Sequence, residues 1–427
     1  MNTHHIFLGC IADDFTGATD LANNLVRAGM RVQQIIGVPD RPLEASVDAV
    51  VIALKSRTNP ASEAIEQSLD ALRWLESHGA RQIYFKYCST FDSTAAGNIG
   101  PVIDALMEAM GETFTVATPA FPENGRTVFN GHLFVGQQLL SDSSMRSHPL
   151  TPMTDANLVR VLQAQSAQLV GLIDHTVIAE GEEAIRQAVA KQRESGIGIA
   201  IVDAISNDEL MTLGRAVGAL RLVTAGSGVA IGLPQNFGFN PSKNAGQLPS
   251  KSGLRAIVSG SCSAATNRQV ADYLNSGGAG IPVDALRVAQ GHDVVSEVLE
   301  WARPRINKER VLAYATANSE TVRAVQQVLG VDQAGALVER TLASIAKGFV
   351  ELGVRQLLVA GGETSGACIQ ELRVREMRIG PQIDPGVPWC FARGKATDGT
   401  EVELHVALKS GNFGTDDFFT KAFEVLS

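Results

Sequence analysis

The sequence predicts an α/β protein built as two α/β domains, with largely parallel sheets and an interdomain cleft. Three observations carry that expectation. Short apolar runs alternate with amphipathic stretches through most of the 427 residues. The chain is longer than one compact core usually supports. The alternation breaks once, over residues 234–253, where Pro, Gly, Asn, Ser and Lys dominate without periodicity. The expected division is a first domain over 1–235, a linker over 236–253 and a second domain over 254–427.

In the first domain, Ile6–Ala12, Ala49–Leu54, Gln82–Tyr87 and Thr113–Ala117 read as buried strands. Ser62–His78 places Ile65, Leu69, Leu72 and Leu75 on one helical face, with Pro60-Ala61-Ser62 as its start and Gly79 as its stop. A second helix should follow Asn98-Ile99-Gly100-Pro101, because proline fits a first turn. Gln168–Ile173, Gly198–Val202 and Leu220–Thr224 continue the pattern. The second domain offers strands near Arg255–Ser259, Val311–Ala315, Gln356–Ala360 and Glu401–Leu408, and a long helix around Ala334–Glu351. Clefts between such domains commonly take ligands.

Composition excludes several classes. A net charge of −9 without basic runs argues against nucleic acid as a partner. No apolar stretch approaches the roughly 20 residues that span a bilayer. Cys10, Cys88, Cys262, Cys368 and Cys390 are odd in number and widely spaced, which points to a reducing cytoplasm rather than a disulfide framework. His4, His5, His132, His148 and His175 show no metal-ligand spacing, and neither a GxSxG elbow nor a GxxxxGK[ST] loop occurs. The pattern leaves open whether the chain forms a homo-oligomer.

Three polar segments leave strands of the first domain. Asp13-Asp14-Phe15-Thr16-Gly17 follows the first strand; its carboxylates suit substrate hydroxyls or base chemistry, and they equally suit a helix cap. Arg57, in Lys55-Ser56-Arg57-Thr58, has the fork that matches a carboxylate, although a surface arginine is the commoner case. Lys86 to Thr94, with Ser89, Asp92, Ser93 and Thr94, concentrates hydroxyls and charge before Gly97-Asn98; a turn with a helix cap would look the same. All three should meet at the carboxyl edge of one sheet, where open α/β sheets bind ligands.

Three small-residue loops leave strands of the second domain: Ser259-Gly260-Ser261, Gly361-Gly362-Glu363-Thr364 and Ser410-Gly411. Each can be a tight turn, but together they suit a nucleotide, with backbone N–H groups toward phosphate. By contrast, Gly226-Ser227-Gly228 to Gly232 has one residue too many for GxGxxG and reads as structural. The competing readings are an NAD(P)-dependent dehydrogenase and a non-catalytic sugar-acid sensor.

Ala12–Ala18 (ADDFTGA), Asp92-Ser93-Thr94 with Gly97-Asn98, Ser259-Gly260-Ser261 and Gly361–Thr364 occur in that order and together resemble the four-carbon acid sugar kinases. The likeness runs from residue 6 to about 414. It implies a first domain that binds a small sugar acid and a second that binds ATP with Mg²⁺. Asp13, Asp14, Arg57, Ser89, Asp92, Ser93 and Thr94 then fall on the acid side. Arg57 would take the carboxylate, and Asp14 or Asp13 would act on the terminal hydroxyl. Ser259, Gly260, Ser261, Gly361, Gly362, Glu363, Thr364 and Gly411 fall on the ATP side. One departure stands out: Ala95-Ala96 occupies the place where many members carry Leu-Arg. That difference favours an oxo-acid over threonate or erythronate.

Overall fold

The computed structural model describes residues 6–426 other than 41, 44–46, 149–150, 243, 251, 318–326 and 329, so His4 and His5 lie outside it. The chain forms two compact units, Met1–Gly246 and Gln247–Ser427.

In the first unit, strands β1 (Leu8–Ala12), β2 (Val32–Ile36), β3 (Ala49–Ala53), β4 (Gln82–Lys86) and β5 (Thr115–Thr118) are almost continuously buried. Near-continuous apolar sequence is what a parallel strand covered on both faces requires. A small antiparallel ribbon comes next, β6 (Arg126–Phe129), β7 (His132–Val135) and β8 (Gln138–Leu139). β9 (Val170–Ile173), β10 (Ile199–Val202) and β11 (Leu222–Ala225) complete the parallel order β2-β3-β1-β4-β11-β5-β10-β9.

Three helices flank the strand ends of this sheet: α1 (Phe15–Arg27), α2 (Ala61–Ser77) and α3 (Ile99–Met110). From β1 the chain crosses through α1 to β2 on one side; from β4 it crosses through α3 to β5 on the other. The crossover directions therefore diverge between β1 and β4. That is the topological switch point, where a crevice opens beyond the carboxyl ends of the strands.

In the second unit, β12 (Leu254–Ser259), β13 (Ala279–Pro282), β14 (Val311–Tyr314), β15 (Val354–Ala360), β16 (Glu376–Asp384), β17 (Val387–Lys395) and β18 (Glu401–Lys409) run in the order β13-β14-β12-β15-β18-β17-β16. β13, β14, β12, β15 and β18 are parallel, whereas β18-β17-β16 are antiparallel. The chain leaves β12 toward β13 and leaves β15 toward β16, so a second switch point lies between β12 and β15. Trp389, Phe418, Phe419 and Phe423 pack a core with Ile257 and Leu358.

β2, the 126–139 ribbon, β13, β16 and β17 lie outside the strands expected from sequence. β2 reads VQQII, and its two glutamines mask it. Both are buried, and Gln34 accepts from Thr19 Oγ1 at 2.9 Å and donates to the Phe15 carbonyl at 3.2 Å. β16 and β17 carry Pro381 and Pro388, which mimic loop punctuation; the register shifts between Ile379 and Asp384 accommodate the irregularity.

Candidate active site

Asp13 and Asp14 leave β1 at the first switch point. Asp14 is the N-cap of α1, with extended backbone (φ −152°, ψ 163°); it accepts from the Gly17 N–H at 3.0 Å and from Thr16 Oγ1 at 2.9 Å. The capping role is thus real, and it coexists with a charge cluster. Arg57, from the loop after β3, donates through Nε and Nη2 to both Asp13 oxygens, each at 2.8 Å. The same Nη2 reaches Asp14 Oδ1 at 2.6 Å. From the end of β4, Lys86 Nζ lies 3.4 Å from Asp14 Oδ1 and 3.8 Å from Asp13 Oδ1. Two carboxylates and two cations close a nearly buried square.

Burial alone would favour neutral Asp14. Arg57 and Lys86 outweigh it, with help from Thr16 and Gly17, and hold the carboxyl well below the usual carboxylate range. For Lys86, burial disfavours the charge, but Asp14 and Asp13 raise its pKa overall. Asp14 is therefore an ionised acceptor at neutral pH and a weak base, since an effective base titrates near the working pH. Such a group can orient a hydroxyl firmly. Glycine at 17 leaves room for the pair: a Cβ there would collide with Lys86 Nζ and Asp14 Oδ1 and displace them.

A buried asparagine holds the Arg57 loop in place. Asn98 Nδ2 donates to the carbonyls of Ser56 at 2.8 Å, Asn59 at 3.1 Å and Arg57 at 3.3 Å. On the loop before it, Thr90 Oγ1 donates to Asp92 Oδ1 at 2.6 Å, and Ser93 Oγ donates to Gln165 Oε1 at 2.8 Å. Ser89, on the same loop, is half-buried. Phe91 takes a left-handed φ of 51° and packs its ring against Tyr87 at 5.3 Å. The structure therefore brings Asp13, Asp14 and Arg57 into contact, and it sets Ser93 and Thr94 on a separate cavity of about 380 Å³ shared with Ala95, Asp155 and Arg160. Arg160 donates to both oxygens of Asp155, at 2.8 and 2.7 Å.

Asp20 is the residue that sequence reading missed on this side. Lys86 opens the third polar segment, but its sequence does not show that it pairs with Asp13 and Asp14. Asp20 sits one turn beyond Gly17, 6% exposed, and its Oδ1 has no partner among the described residues. Burial pushes its pKa up to about 6, while a hydrogen bond with Ser227 and the charge of Lys86 act the other way. Gly226 and Gly228 pack on the backbone of Pro119 and Ala120, in keeping with a structural role for their loop.

In the second unit, a cavity of about 710 Å³ opens at the switch point, lined by Gly260, Ser261, Gly361, Gly362, Glu363 and Thr364. Val283, Leu286, Tyr314 and Val338 supply an apolar wall. The helix Gly362–Glu371 starts at this cavity with no side-chain cap. Its first N–H groups thus face a ready anion position. Gly361 has φ 126°, and a Cβ there would come within 2.8 Å of Thr364 Oγ1 and 3.1 Å of the Ser261 nitrogen. Ser259 is fully buried and exchanges a 2.6 Å hydrogen bond with Thr316, so it supports the loop from beneath rather than lining the cavity. Gly411 backs Ser261, and a Cβ there would lie 2.5 Å from its Oγ. Lys409, which precedes the Ser410-Gly411 loop in sequence, carries no visible role there; its ammonium is wholly buried under the 410–413 loop.

The sequence matches the family described as a sugar-binding N-terminal domain over residues 8–233, and the one described as a nucleotide-binding C-terminal domain over residues 256–419. A 3-oxo-tetronate kinase of Burkholderia multivorans is 56% identical over 423 residues, 98% of this chain and 97% of that one. A 3-oxo-tetronate kinase of Pseudomonas fluorescens is 55% identical, again over 98% of this chain and 97% of its own. Among solved structures, a Haemophilus influenzae protein of the family DUF1537 superposes with a TM-score of 0.81 at 43% identity, covering 98% of this chain and 100% of that one.

Proposed function

This chain belongs to the four-carbon acid sugar kinases, and from that premise we propose that it transfers the γ-phosphate of ATP to the terminal, 4-hydroxyl of a 3-oxo-tetronate. It is an ATP-dependent phosphotransferase acting on a hydroxyl group. The observation that carries the substrate-side reading is the Asp13–Asp14–Arg57–Lys86 cluster at the first switch point.

Phosphoryl transfer asks a protein mainly for positioning and charge stabilisation. Ionised Asp14 accepts the acceptor hydroxyl's hydrogen bond and points its oxygen at the phosphate. Arg57, Lys86 and the Thr16 and Gly17 donors keep that carboxylate charged and fixed. Asp13 takes the Nε–Nη2 fork of Arg57, which leaves its Nη1 as the donor for the acid's carboxylate. Ser89 and Asp92, on the loop that follows Lys86, would meet the acid's remaining oxygens, whereas Ser93 and Thr94 line the separate cavity and are not assigned to the acid.

On the donor side, the uncapped N–H groups after Gly361 and the Ser261 loop hold phosphates, with Ser259, Gly260 and Gly411 fixing their backbone. The apolar wall at Val283, Leu286, Tyr314 and Val338 suits an adenine ring. Among the described residues no cluster of three or more metal-ligating side chains exists. Mg²⁺ takes one or two carboxylates and completes its shell with phosphate oxygens and water. Glu363 and Thr364 are the side chains at the cavity that would hold it, and bound Mg²⁺ would neutralise phosphate charge.

No helix among the described residues is long and apolar enough to cross a membrane. A coupled ADP-release assay with oxidised and unoxidised four-carbon acids tests the reading. ADP formation should be strongest with 3-oxo-tetronates. Preference for threonate or erythronate would overturn the substrate, and no ADP with any of the acids would overturn the reaction.

A further inference from the structure

We propose that the ammonium of Lys409 acts as a built-in monovalent cation that shapes the loop 410–413 beside the nucleotide cavity, making Lys409 a positioning residue for ATP. The inference rests on the kinase reading of that cavity.

Lys409 ends β18 and is 0% exposed. Its Nζ donates to Thr266 Oγ1 at 3.0 Å and to the carbonyls of Ser410 at 3.0 Å, Gly411 at 2.9 Å and Phe413 at 3.1 Å. No carboxylate pairs with it among the described residues. An ammonium has three N–H bonds, so four oxygens exceed its directed capacity and form a shell around a point charge. Carbonyl oxygens gathered in this way are how proteins replace the hydration shell of a potassium-sized ion. Burial pushes Lys409 down to about 7, and the surrounding oxygens oppose that by favouring the charged form.

The shell has a consequence for the cavity. Turning the 410, 411 and 413 carbonyls inward fixes the backbone of a tight loop. The Gly411 carbonyl also accepts from Ser263 Oγ at 2.6 Å and Thr266 Oγ1 at 2.8 Å, which fastens the loop to the helix Ala264–Asn275. Gly411 in turn backs Ser261, which lines the cavity. The Lys409 carbonyl accepts from the Gly361 N–H at 2.8 Å, so one residue anchors the loop and the start of the uncapped helix together. Without the ammonium, inward carbonyls repel one another and the loop opens unless another cation enters.

The test uses the full chain and steady-state kinetics with a four-carbon acid. Wild type should keep its ATP KM when lithium or tetramethylammonium replaces potassium. Lys409→Ala should raise the ATP KM about tenfold, equivalent to about 1.4 kcal/mol, and leave the acid KM unchanged. Ammonium or potassium ions, but not lithium, should recover most of that loss; simple packing damage would show no such ion selectivity. A wild type that requires potassium, a folded Lys409→Ala with normal ATP KM, or a defect insensitive to added cations would each overturn the proposal. If the variant fails to fold, the wild-type cation series still decides. If no acid supports ADP formation, the kinase reading fails, and the same ion series read by fluorescent-nucleotide titration tests the loop separately.

Discussion

Lys86 Nζ stands 3.4 Å from Asp14 Oδ1 in the space that a side chain at residue 17 would fill. A helix glycine, ordinarily a cost to helix stability, is here the condition for an ion pair between β4 and the cap of α1. Gly17→Ala should therefore displace Lys86 or Asp14. The expected loss is about 1–3 kcal/mol in urea unfolding, the usual range for overpacking, together with a fall in kcat at unchanged ATP KM. A stable, fully active Gly17→Ala enzyme would show that this pair has no part in turnover.

Asp14→Asn keeps the shape and removes the charge that, in the proposed mechanism, orients the acceptor. The kcat should drop about 10²-fold or more, in line with loss of a positioned group in the transition state. The ATP KM should stay near wild type, because the donor is held elsewhere. Steady-state kinetics with saturating acid distinguish the two effects, and wild-type turnover would remove Asp14 from the mechanism.

Asn98→Ala should act one step back. Three carbonyls of the Arg57 loop lose their common donor, the Ser56 carbonyl keeping the Asn59 N–H, at a cost of about 1 kcal/mol or somewhat more. The acid KM should rise more than the ATP KM. Equal changes in both constants would point to general unfolding instead.

Asp20 gives a pH signature. Its folded pKa, about 6, lies above the ordinary value of 3.8, so between those values the folded state binds the proton more tightly. Its favourable contribution is complete below the unfolded value and disappears as pH rises through about 6. Asp20→Asn should therefore be the more stable protein near pH 8, by about 1–3 kcal/mol, and lose that advantage near pH 4. Parallel urea midpoints for the two proteins at both pH values would contradict this.

The sequence made the strand ends legible and hid the charges that complete them. β1, β3 and β4 announce themselves as apolar runs, and the residues after β1 and β3 announce chemistry because aspartate and arginine are unusual there. Lys86 closes the same cluster from 72 residues away; its polar segment is visible locally, but its partners are not. Lys409 is hidden for the same reason. Asp14 shows why motif reading stops short: capping and substrate binding call for the same residue, and only Arg57 and Lys86 at bonding distance separate the two. The antiparallel pair β16 and β17 escaped notice because its prolines suggest turns and its bulges break strict alternation.

The helix Gly362–Glu371 begins on glycine with its first turn uncapped. Glycine at the cap position forgoes about a few tenths of a kcal/mol that a serine or aspartate cap would supply. An occupant that binds only the folded state returns stability by mass action, about 2.7 kcal/mol at a concentration a hundred times its Kd. With the nucleotide seated there as proposed, its abundance would act as a safeguard of this half of the chain against heat and proteolysis.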